Sequence, residues 1–359
     1  MNFDCIIKNG KIWNGYEFLE GLNDVGIVGD KITKISNNIT DDAKFIFNAN
    51  GAIVSCGLID LHIHIKGCGS EYFGMPAEIS CFPFGVTTAV EAWTDRDGVK
   101  ILDNMLLDTF VFLGVGIINN HADFSTVEKL ISVYGKRVLG VKLCFDKSNL
   151  EIIDETPLKE TCDYAKEKGL RTLVHSTGSP VPMKRVFEIL NKGDICTHVF
   201  HGGENSIYDN FECLKLAKDK GIILDNGMAG GVHTDFSIAK MAIYNGQLPD
   251  TISTDITKVS AFIRGGNYGM TLCMSIMRKL GMEEEKILKA VTSTPAKIIN
   301  QEDCKGKLDI DKKADISVID YRNSPFKIYD KAGNCVKNDY SYVNLLTIKN
   351  GQVVFRANI

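Results

Sequence analysis

The sequence predicts an α/β fold, a TIM (β/α)8 barrel with a small β-sandwich domain formed by both chain termini. Three observations predict it. The middle of the chain alternates apolar runs of strand length with helical patterns. Asn-Gly hairpin signals stand in short apolar segments near both ends. The 359 residues, 44% of them hydrophobic, suffice for one large domain with its own core and a smaller second domain.

The two chain ends have the pattern of short antiparallel strands. Residues 5–13 carry an Asn-Gly turn between apolar runs, residues 25–32 resemble a second hairpin, and residues 346–354 repeat the Asn-Gly pattern. We therefore expect residues 1–52 and 305–359 to form one composite β domain. Residues 53–304 then form the barrel.

The barrel segment contains eight strand candidates with helices between several of them. A helix begins at Thr156-Pro157 and ends at Gly169, and a strand follows at once. Eight βα units in about 250 residues match a TIM barrel. A doubly wound open sheet is the alternative, but no G-x-G-x-x-G or P-loop follows an early strand. The candidates are residues 54–61, 86–91, 110–117, 138–144, 170–175, 194–199, 222–225 and 250–255.

Composition narrows the class of function. The formal net charge is −4 and no basic stripe suggests a nucleic-acid partner. The eleven cysteines include no C-x-x-C pair, which favours a reducing cytoplasm over a disulfide framework or a thiolate zinc site.

The N-terminus lacks the pattern of a signal peptide, and the strongly apolar residues 110–118 are too few to span a bilayer. We expect a cytoplasmic protein that is neither exported nor inserted into a membrane. A homo-oligomer is an open expectation, because such assemblies are common.

Two histidines are the first sign of a metal site. His62 and His64 are two residues apart at the end of a buried strand candidate, so both imidazoles point to the same side. Such a pair offers two nitrogen ligands to a divalent metal. At this point, two histidines satisfied by local hydrogen bonds remain an equal alternative.

Later strands supply further candidate ligands. His175, His198 and Asp255 lie at or near the C-terminal ends of strand candidates, where barrel enzymes gather their chemistry. Imidazole and carboxylate ligands without thiolates suit zinc best, with manganese, iron or cobalt as alternatives. We therefore expect divalent metal ions, most simply zinc.

Lys142 lies in a buried-looking strand and has to be neutral or find a partner there. The alternative is a strand-end lysine whose ammonium reaches solvent. Near two cations, a neutral amine can take up carbon dioxide to form a carbamate. The two carbamate oxygens can bridge two metals and lower the net charge of the pocket.

With these residues in order, the chain resembles the binuclear amidohydrolase superfamily, which contains dihydroorotase, dihydropyrimidinase and phosphotriesterase. The resemblance covers nearly the whole chain. Within it, residues 247–255 and 197–200 look most like the dihydroorotase-like deacetylases. The segments that carry the broader resemblance are the ligand order His62, His64, Lys142, His175, His198 and Asp255, and residues 57–64, 85–88, 290–296, 306–308 and 313–320.

The resemblance implies a role for each of these residues. His62, His64 and Asp255 would hold the more buried metal, and His175 and His198 the more exposed one. Carboxylated Lys142 would bridge the two ions. A hydroxide between the metals would attack the carbonyl, since metal ions lower the pKa of bound water from ~15.7 towards neutrality. Asp255 would act as the catalytic residue that moves the proton to the leaving group.

The resemblance implies hydrolysis of an amide or ester. Within that class, we expect deacylation of a small carboxylate-bearing N-acyl amino acid or O-acyl hydroxy acid. A cyclic amidase of the dihydroorotase type is the alternative, and a catalytically silent scaffold is the alternative outside enzymes. The chain departs from the family pattern at two positions: it has Met228 and Thr257 where relatives often carry histidines. Both differences affect the pocket and not the metal ligands. The candidate substrate-binding residues lie in loops; they are Arg264, His201, Asn205 and Asn226.

Overall fold

The computed structural model describes residues 2–263 and 268–358. Its strands, in chain order, are β1 (Phe3–Trp13), β2 (Asn23–Val28), β3 (Lys31–Ser36), β4 (Ala43–Asn48), β5 (Ile53–Cys56), β6 (Leu58–Ile63), β7 (Val86–Thr94), β8 (Asp108–Gly114), β9 (Gly116–Ile118), β10 (His121–Asp123), β11 (Val138–Cys144), β12 (Arg171–His175), β13 (Ile195–Thr197), β14 (Ile223–Leu224), β15 (Ile316–Tyr329), β16 (Cys335–Lys349) and β17 (Gln352–Arg356).

The helices lie between these strands and after the last barrel strand. They are α1 (Ala77–Cys81), α2 (Val99–Asp103), α3 (Ser125–Tyr134), α4 (Thr156–Glu167), α5 (Met183–Ile189), α6 (Cys213–Lys220), α7 (Phe236–Tyr244), α8 (Met270–Lys279), α9 (Glu284–Val291) and α10 (Ser293–Ile298). Short 3-10 turns cover Phe82–Phe84, Gly135–Arg137, Ile207–Asp209 and Ala229–Gly231, and a π-helical turn covers Val259–Ile263.

Seven of the strands form a parallel sheet in the order β14, β13, β12, β11, β8, β7, β6. The segment that follows α7 closes this sheet into a barrel. Thr251 bridges to Asp225 beside β14, and Ile256 bridges to Ile63 of β6. The predicted eighth strand at residues 250–255 is therefore represented by one single bridge at Thr251, and the second bridge, at Ile256, follows directly after it. The predicted TIM barrel is confirmed.

Both chain ends join in a second sheet, in the order β17, β16, β15, β5, β1, β2, β3, with β4 paired to β1. The predicted small β domain from the two termini is confirmed. β5 pairs with β1 and β15 in this sheet, whereas β6 pairs with β7 in the barrel. The predicted single strand at residues 54–61 is thus divided at Gly57 between the two sheets. The domain boundaries after residues 52 and 304 stay a prediction.

The parallel strands are apolar on both faces because helices cover the outside of the barrel. Some hydrophobic side chains of the barrel strands, such as Ile59, Val90 and Phe112, form a cluster of their own, and others pack in a core with those of the surrounding helices. This core includes Val111, Leu143 and Val174 from strands and Val127, Leu158 and Val186 from helices. The terminal sheet has its own core, which includes Ile7, Val54, Ile316 and Leu346. Each sheet therefore has its own source of hydrophobic stabilisation.

Among the described residues, none of the helices has the length and hydropathy that a membrane-spanning helix needs.

A buried lysine joins the two sheets. The Lys349 ammonium is fully buried and donates to Asp108 Oδ2 at 2.8 Å and to Asp315 Oδ2 at 2.8 Å. Asp108 begins barrel strand β8, whereas Lys349 ends β16 of the terminal sheet. Although partial burial opposes it, Lys305 and Lys349 keep the pKa of Asp108 below its usual range. These residues, called here the Lys349 cluster, are Lys349, Lys305, Asp108 and Asp315, and they connect the barrel and the β domain electrostatically.

We expect Lys349→Ala to destabilise the protein by about 3–5 kcal/mol, because it removes the fully buried cation that Asp108 and Asp315 share and leaves only Lys305 beside them. Urea unfolding followed by circular dichroism measures this change. Lys44→Ala is the matched control, since Lys44 also binds an aspartate, Asp4, but on the exposed surface. Equal loss of stability in both variants would contradict a structural role for the buried cluster.

Candidate metal centre

The ends of the barrel strands bring distant polar residues together. Asp255 N–H donates to His62 O at 2.7 Å where the closing segment meets β6. Asp60 strengthens the same junction, accepting hydrogen bonds from Thr254 N at 3.0 Å and Thr254 Oγ1 at 2.6 Å. Asp255 itself has φ 46°. This left-handed backbone is unusual for a residue with a side chain and turns the carboxylate toward the histidines.

One group of candidate ligands consists of His62, His64 and Asp255. Asp255 Oδ1 lies 3.3 Å from His62 Nε2 and 3.1 Å from His64 Nε2. Their ligand atoms all lie within 4.8 Å of one another. Burial, helped by Lys142, lowers the pKa of His62 to about 4. Although burial of Asp255 opposes it, the two histidines hold the pKa of this carboxyl well below its usual range.

A second group lies beside the first and contains His175, His198 and His233, again with ligand atoms within 4.8 Å of one another. His198 Nε2 is 3.9 Å from Asp255 Oδ2. Burial, followed by the neighbouring imidazoles, lowers the pKa of His175 and of His198 well below the usual range. Neutral imidazoles are the form that binds metal.

Polar partners orient the His62 ring from behind. Thr197 Oγ1 donates to Asp225 Oδ2 at 2.7 Å and lies 3.1 Å from His62 Nδ1. Because that hydroxyl proton is used for Asp225, the hydroxyl accepts from His62 Nδ1–H. Nε2 of His62 is then unprotonated and faces Asp255. Asp225 is itself held by hydroxyl groups of Thr251 and Ser253, each at 2.7 Å.

Glu91 orients the His64 imidazole. Glu91 was not identified from the sequence as a residue of the site. Its Oε1 lies 3.3 Å from His64 Nδ1 and accepts from Trp93 N at 2.8 Å, while Oε2 accepts from Ile65 N. Although burial of His64 opposes it, Asp255 and Glu91 raise the pKa of that imidazole to about 9. The signal was available, because Glu91 is a charged residue at the end of a buried strand candidate, like Lys142.

His198 has a backbone partner. Its Nδ1 donates to Gly227 O at 2.7 Å, which leaves Nε2 for the centre. His198 has φ 63°, the second left-handed residue in the site. A Cβ on Gly227 would lie 2.3 Å from Thr197 Oγ1 and 2.6 Å from His198 Nδ1, so the close approach requires glycine.

Lys142 is buried on β11 beside this cluster, with only 2% of the residue exposed. Its Nζ has no hydrogen-bond partner among the described residues. Burial lowers the pKa of the Lys142 ammonium, although Cys144, Asp255 and Asp225 act in the opposite direction. Lowering this pKa raises the share of the neutral amine, the form that reaction with carbon dioxide requires.

These residues fit a pair of divalent metal ions. The imidazole Nε2 atoms and the Asp255 oxygens converge, while Nδ1 of His62, His64 and His198 is occupied from outside. Lys142 Nζ and His198 Nε2 are buried polar atoms without a hydrogen-bond partner in the described structure, a rare condition in proteins. Metal coordination would satisfy His198, and a carbamate bound to metal would satisfy Lys142.

The predicted substrate-binding residues have different environments. His201 is fully buried, and both ring nitrogens lack hydrogen-bond partners among the described residues. Asn205 Nδ2 donates to Ser179 O at 3.0 Å, and Asn226 Oδ1 accepts from Thr234 Oγ1 at 3.2 Å, so both amides hold loops. Arg264 lies outside the described residues. Their contact with substrate stays a prediction.

The two departures from the family pattern also have a structural context. Met228 is fully buried in the core, and Thr257 exchanges hydrogen bonds with Ser260 at the start of the π-helical turn. His233, five residues after Met228, supplies an imidazole to the cluster instead. Because His233 lies in a loop, no helix or strand periodicity marks it in the sequence.

In sequence, the chain is similar to a known family and to known deacetylases. A model of the amidohydrolase family matches residues 232–355. A deacetylase of Enterococcus faecalis is 27% identical, over 93% of this chain and 94% of its own length. The deacetylase Atu3266 of Agrobacterium fabrum is 28% identical, over 88% of this chain and 82% of its own length.

Among solved structures, a dihydroorotase superposes with a TM-score of 0.87 at 24% identity. The superposition covers 98% of this chain and 99% of the dihydroorotase chain. The barrel and the terminal β domain are therefore shared as a unit.

We expect Glu91→Gln to weaken zinc binding by about 10–100-fold, because an amide cannot accept from all the donors that hold Glu91 and His64 in place. Competition with a chromophoric chelator measures the affinity. Glu160→Gln is the matched control, since Glu160 also contacts a histidine Nδ1 and a backbone N–H, but at exposed His121. An affinity equal to that of the wild type in Glu91→Gln would contradict the orienting role.

Proposed function

The chain belongs to the amidohydrolase superfamily and is a hydrolase, and from this premise we propose that it removes an acyl group from a small carboxylate-bearing substrate. The observation that carries the proposal is the pair of ligand groups that meet at Asp255. The deacetylase relatives, which align over most of their own length, support the removal of an acetyl group. The substrate that we propose is an N-acyl amino acid or an O-acyl hydroxy acid.

We assign one metal ion to His62, His64 and Asp255, and the second to His175 and His198. Zinc suits these donors best, since they are imidazoles and a carboxylate without thiolate. The short contacts from Asp255 Oδ1 to both His62 and His64 support the first assignment. The neutral state favoured for His175 and His198 supports the second.

We propose that the Lys142 amine becomes a carbamate that bridges the two ions. The amine gains carbon dioxide and loses one proton, which converts a neutral nitrogen into an anionic ligand with two oxygens. The complete burial of Nζ and its lack of a hydrogen-bond partner in the described structure support this step. Without the carbamate, Lys142 would add a buried polar group to a site already crowded with cations.

When bound, two divalent cations would acidify water and polarise the substrate carbonyl. The protein's own contribution is proton transfer and orientation. The two Asp255 carboxylate oxygens face the two histidine groups, so this side chain is placed to accept the proton of the attacking water and deliver it to the leaving amine or alkoxide. Glu91, Thr197 and Gly227 O keep the imidazoles in the required orientation.

We also propose that the protein works in the cytoplasm. In the described part of the chain the eleven cysteines are free, and eight of them are buried, as expected in a reducing compartment. A homo-oligomer stays a prediction.

The substrate class is tested with three sets of compounds: N-acetyl amino acids, O-acetyl hydroxy acids and cyclic ureides. We expect turnover of a compound from one of the first two sets, measured as released acetate with zinc present. Activity confined to cyclic ureides would contradict deacylation and favour the cyclic amidase.

We expect Lys142→Ala to lower kcat by more than ~100-fold, because it removes a direct metal ligand rather than an outer partner. A short carboxylic acid added to the assay should restore part of the activity by supplying the missing oxygens. The same acid added to the wild type is the control and should not raise its rate. Full activity in the unsupplemented variant would exclude the bridging role.

A further inference from the structure

We propose that His233 is a third imidazole ligand of the second metal ion, together with His175 and His198. This inference rests on the two-metal function proposed above and adds a ligand to it. Among the described residues, the ligand atoms of these three histidines lie within 4.8 Å of one another. Three imidazoles form a donor set that holds zinc with one position open for water or substrate.

The three rings form a nearly regular triangle. The ring centroids are 4.5 Å apart between His175 and His198, 4.9 Å between His175 and His233, and 4.3 Å between His198 and His233. His233 Nε2 is 3.9 Å from Asp255 Oδ2, the same distance as His198 Nε2. His233 thus has the same relation to the shared carboxylate as a histidine already assigned to the second ion.

The orientation of the His233 ring matches that of the other histidines in the site. Its Nδ1 lies 3.0 Å from Thr177 Oγ1, which leaves Nε2 directed to the centre. Thr177 follows His175 by two residues, so the hydrogen bond ties the His233 loop to the loop that carries another ligand. An outer partner on one nitrogen and a free second nitrogen are typical of metal-binding imidazoles.

The loop that carries His233 is held on both sides. Thr234 Oγ1 donates to Asn226 Oδ1 at 3.2 Å, and Asp235 N donates to Phe200 O at 2.9 Å. Asp235 also accepts from Ser237 N and Ile238 N as the N-cap of α7. The His233 side chain is 22% exposed, so it lies at the open side of the cluster but is fixed there.

A three-imidazole site has a consequence for Lys142. The second ion would keep three neutral nitrogen ligands even when the carbamate is absent. Its binding should therefore depend on His233 and Lys142 together, and loss of Lys142 alone should leave a weaker but measurable second site.

The test is a zinc titration in competition with a chromophoric chelator, on the full chain. The variants are His233→Ala, Lys142→Ala and the double variant, and His121→Ala is the control because His121 is exposed on β10. We expect two equivalents in the wild type and in the control. His233→Ala should weaken the second equivalent by more than ~100-fold, beyond the effect of losing an outer partner, and leave the first unchanged. The double variant should bind one equivalent.

Cobalt substitution gives a second readout. The visible absorption of the second Co²⁺ should change in His233→Ala and not in His121→Ala, and thermal unfolding should show that the variants are folded. A wild type that binds fewer than two equivalents would overturn the two-metal function and this inference with it. Two equivalents in the wild type, with unchanged affinity and spectrum in His233→Ala, would overturn only the role of His233.

Discussion

The site depends on the closure of the barrel at Asp255. The backbone N–H of this residue donates to His62 O, and its left-handed conformation directs the carboxylate between the two histidine groups. One oxygen lies near His62 and His64, and the other near His198 and His233. A single side chain therefore joins the first and the last barrel segments and touches both candidate metal positions.

The orientation of most imidazoles in the site is set by hydrogen bonds from residues that are not themselves candidate ligands. Thr197 with Asp225, Glu91, Gly227 O and Thr177 each occupy the Nδ1 side of one imidazole. The corresponding Nε2 atoms converge because the other nitrogen has its partner. Glu91 and Thr197 lie on barrel strands, so the fold itself places these partners beside the histidines without any ligand.

The sequence predicted the barrel, the composite β domain and the strand ends with His62, Lys142 and Asp255. It did so because apolar periodicity and turn residues are local properties. The division of residues 54–61 at Gly57 was not predictable in this way, since both halves are apolar and buried and differ only in their pairing partners. The closing segment was predicted as a strand, although it makes only bridges.

The sequence by itself determined which residue types are available and which of them share a strand face, as for His62 and His64. Only the tertiary structure decided that Glu91 supports His64, that Asn226 holds a loop, and that His233 joins the cluster. The physical reason is the separation along the sequence between the residues that interact. Side-chain alternation acts between neighbours in the chain, whereas the direction of an imidazole is set by hydrogen bonds to residues that only folding brings near.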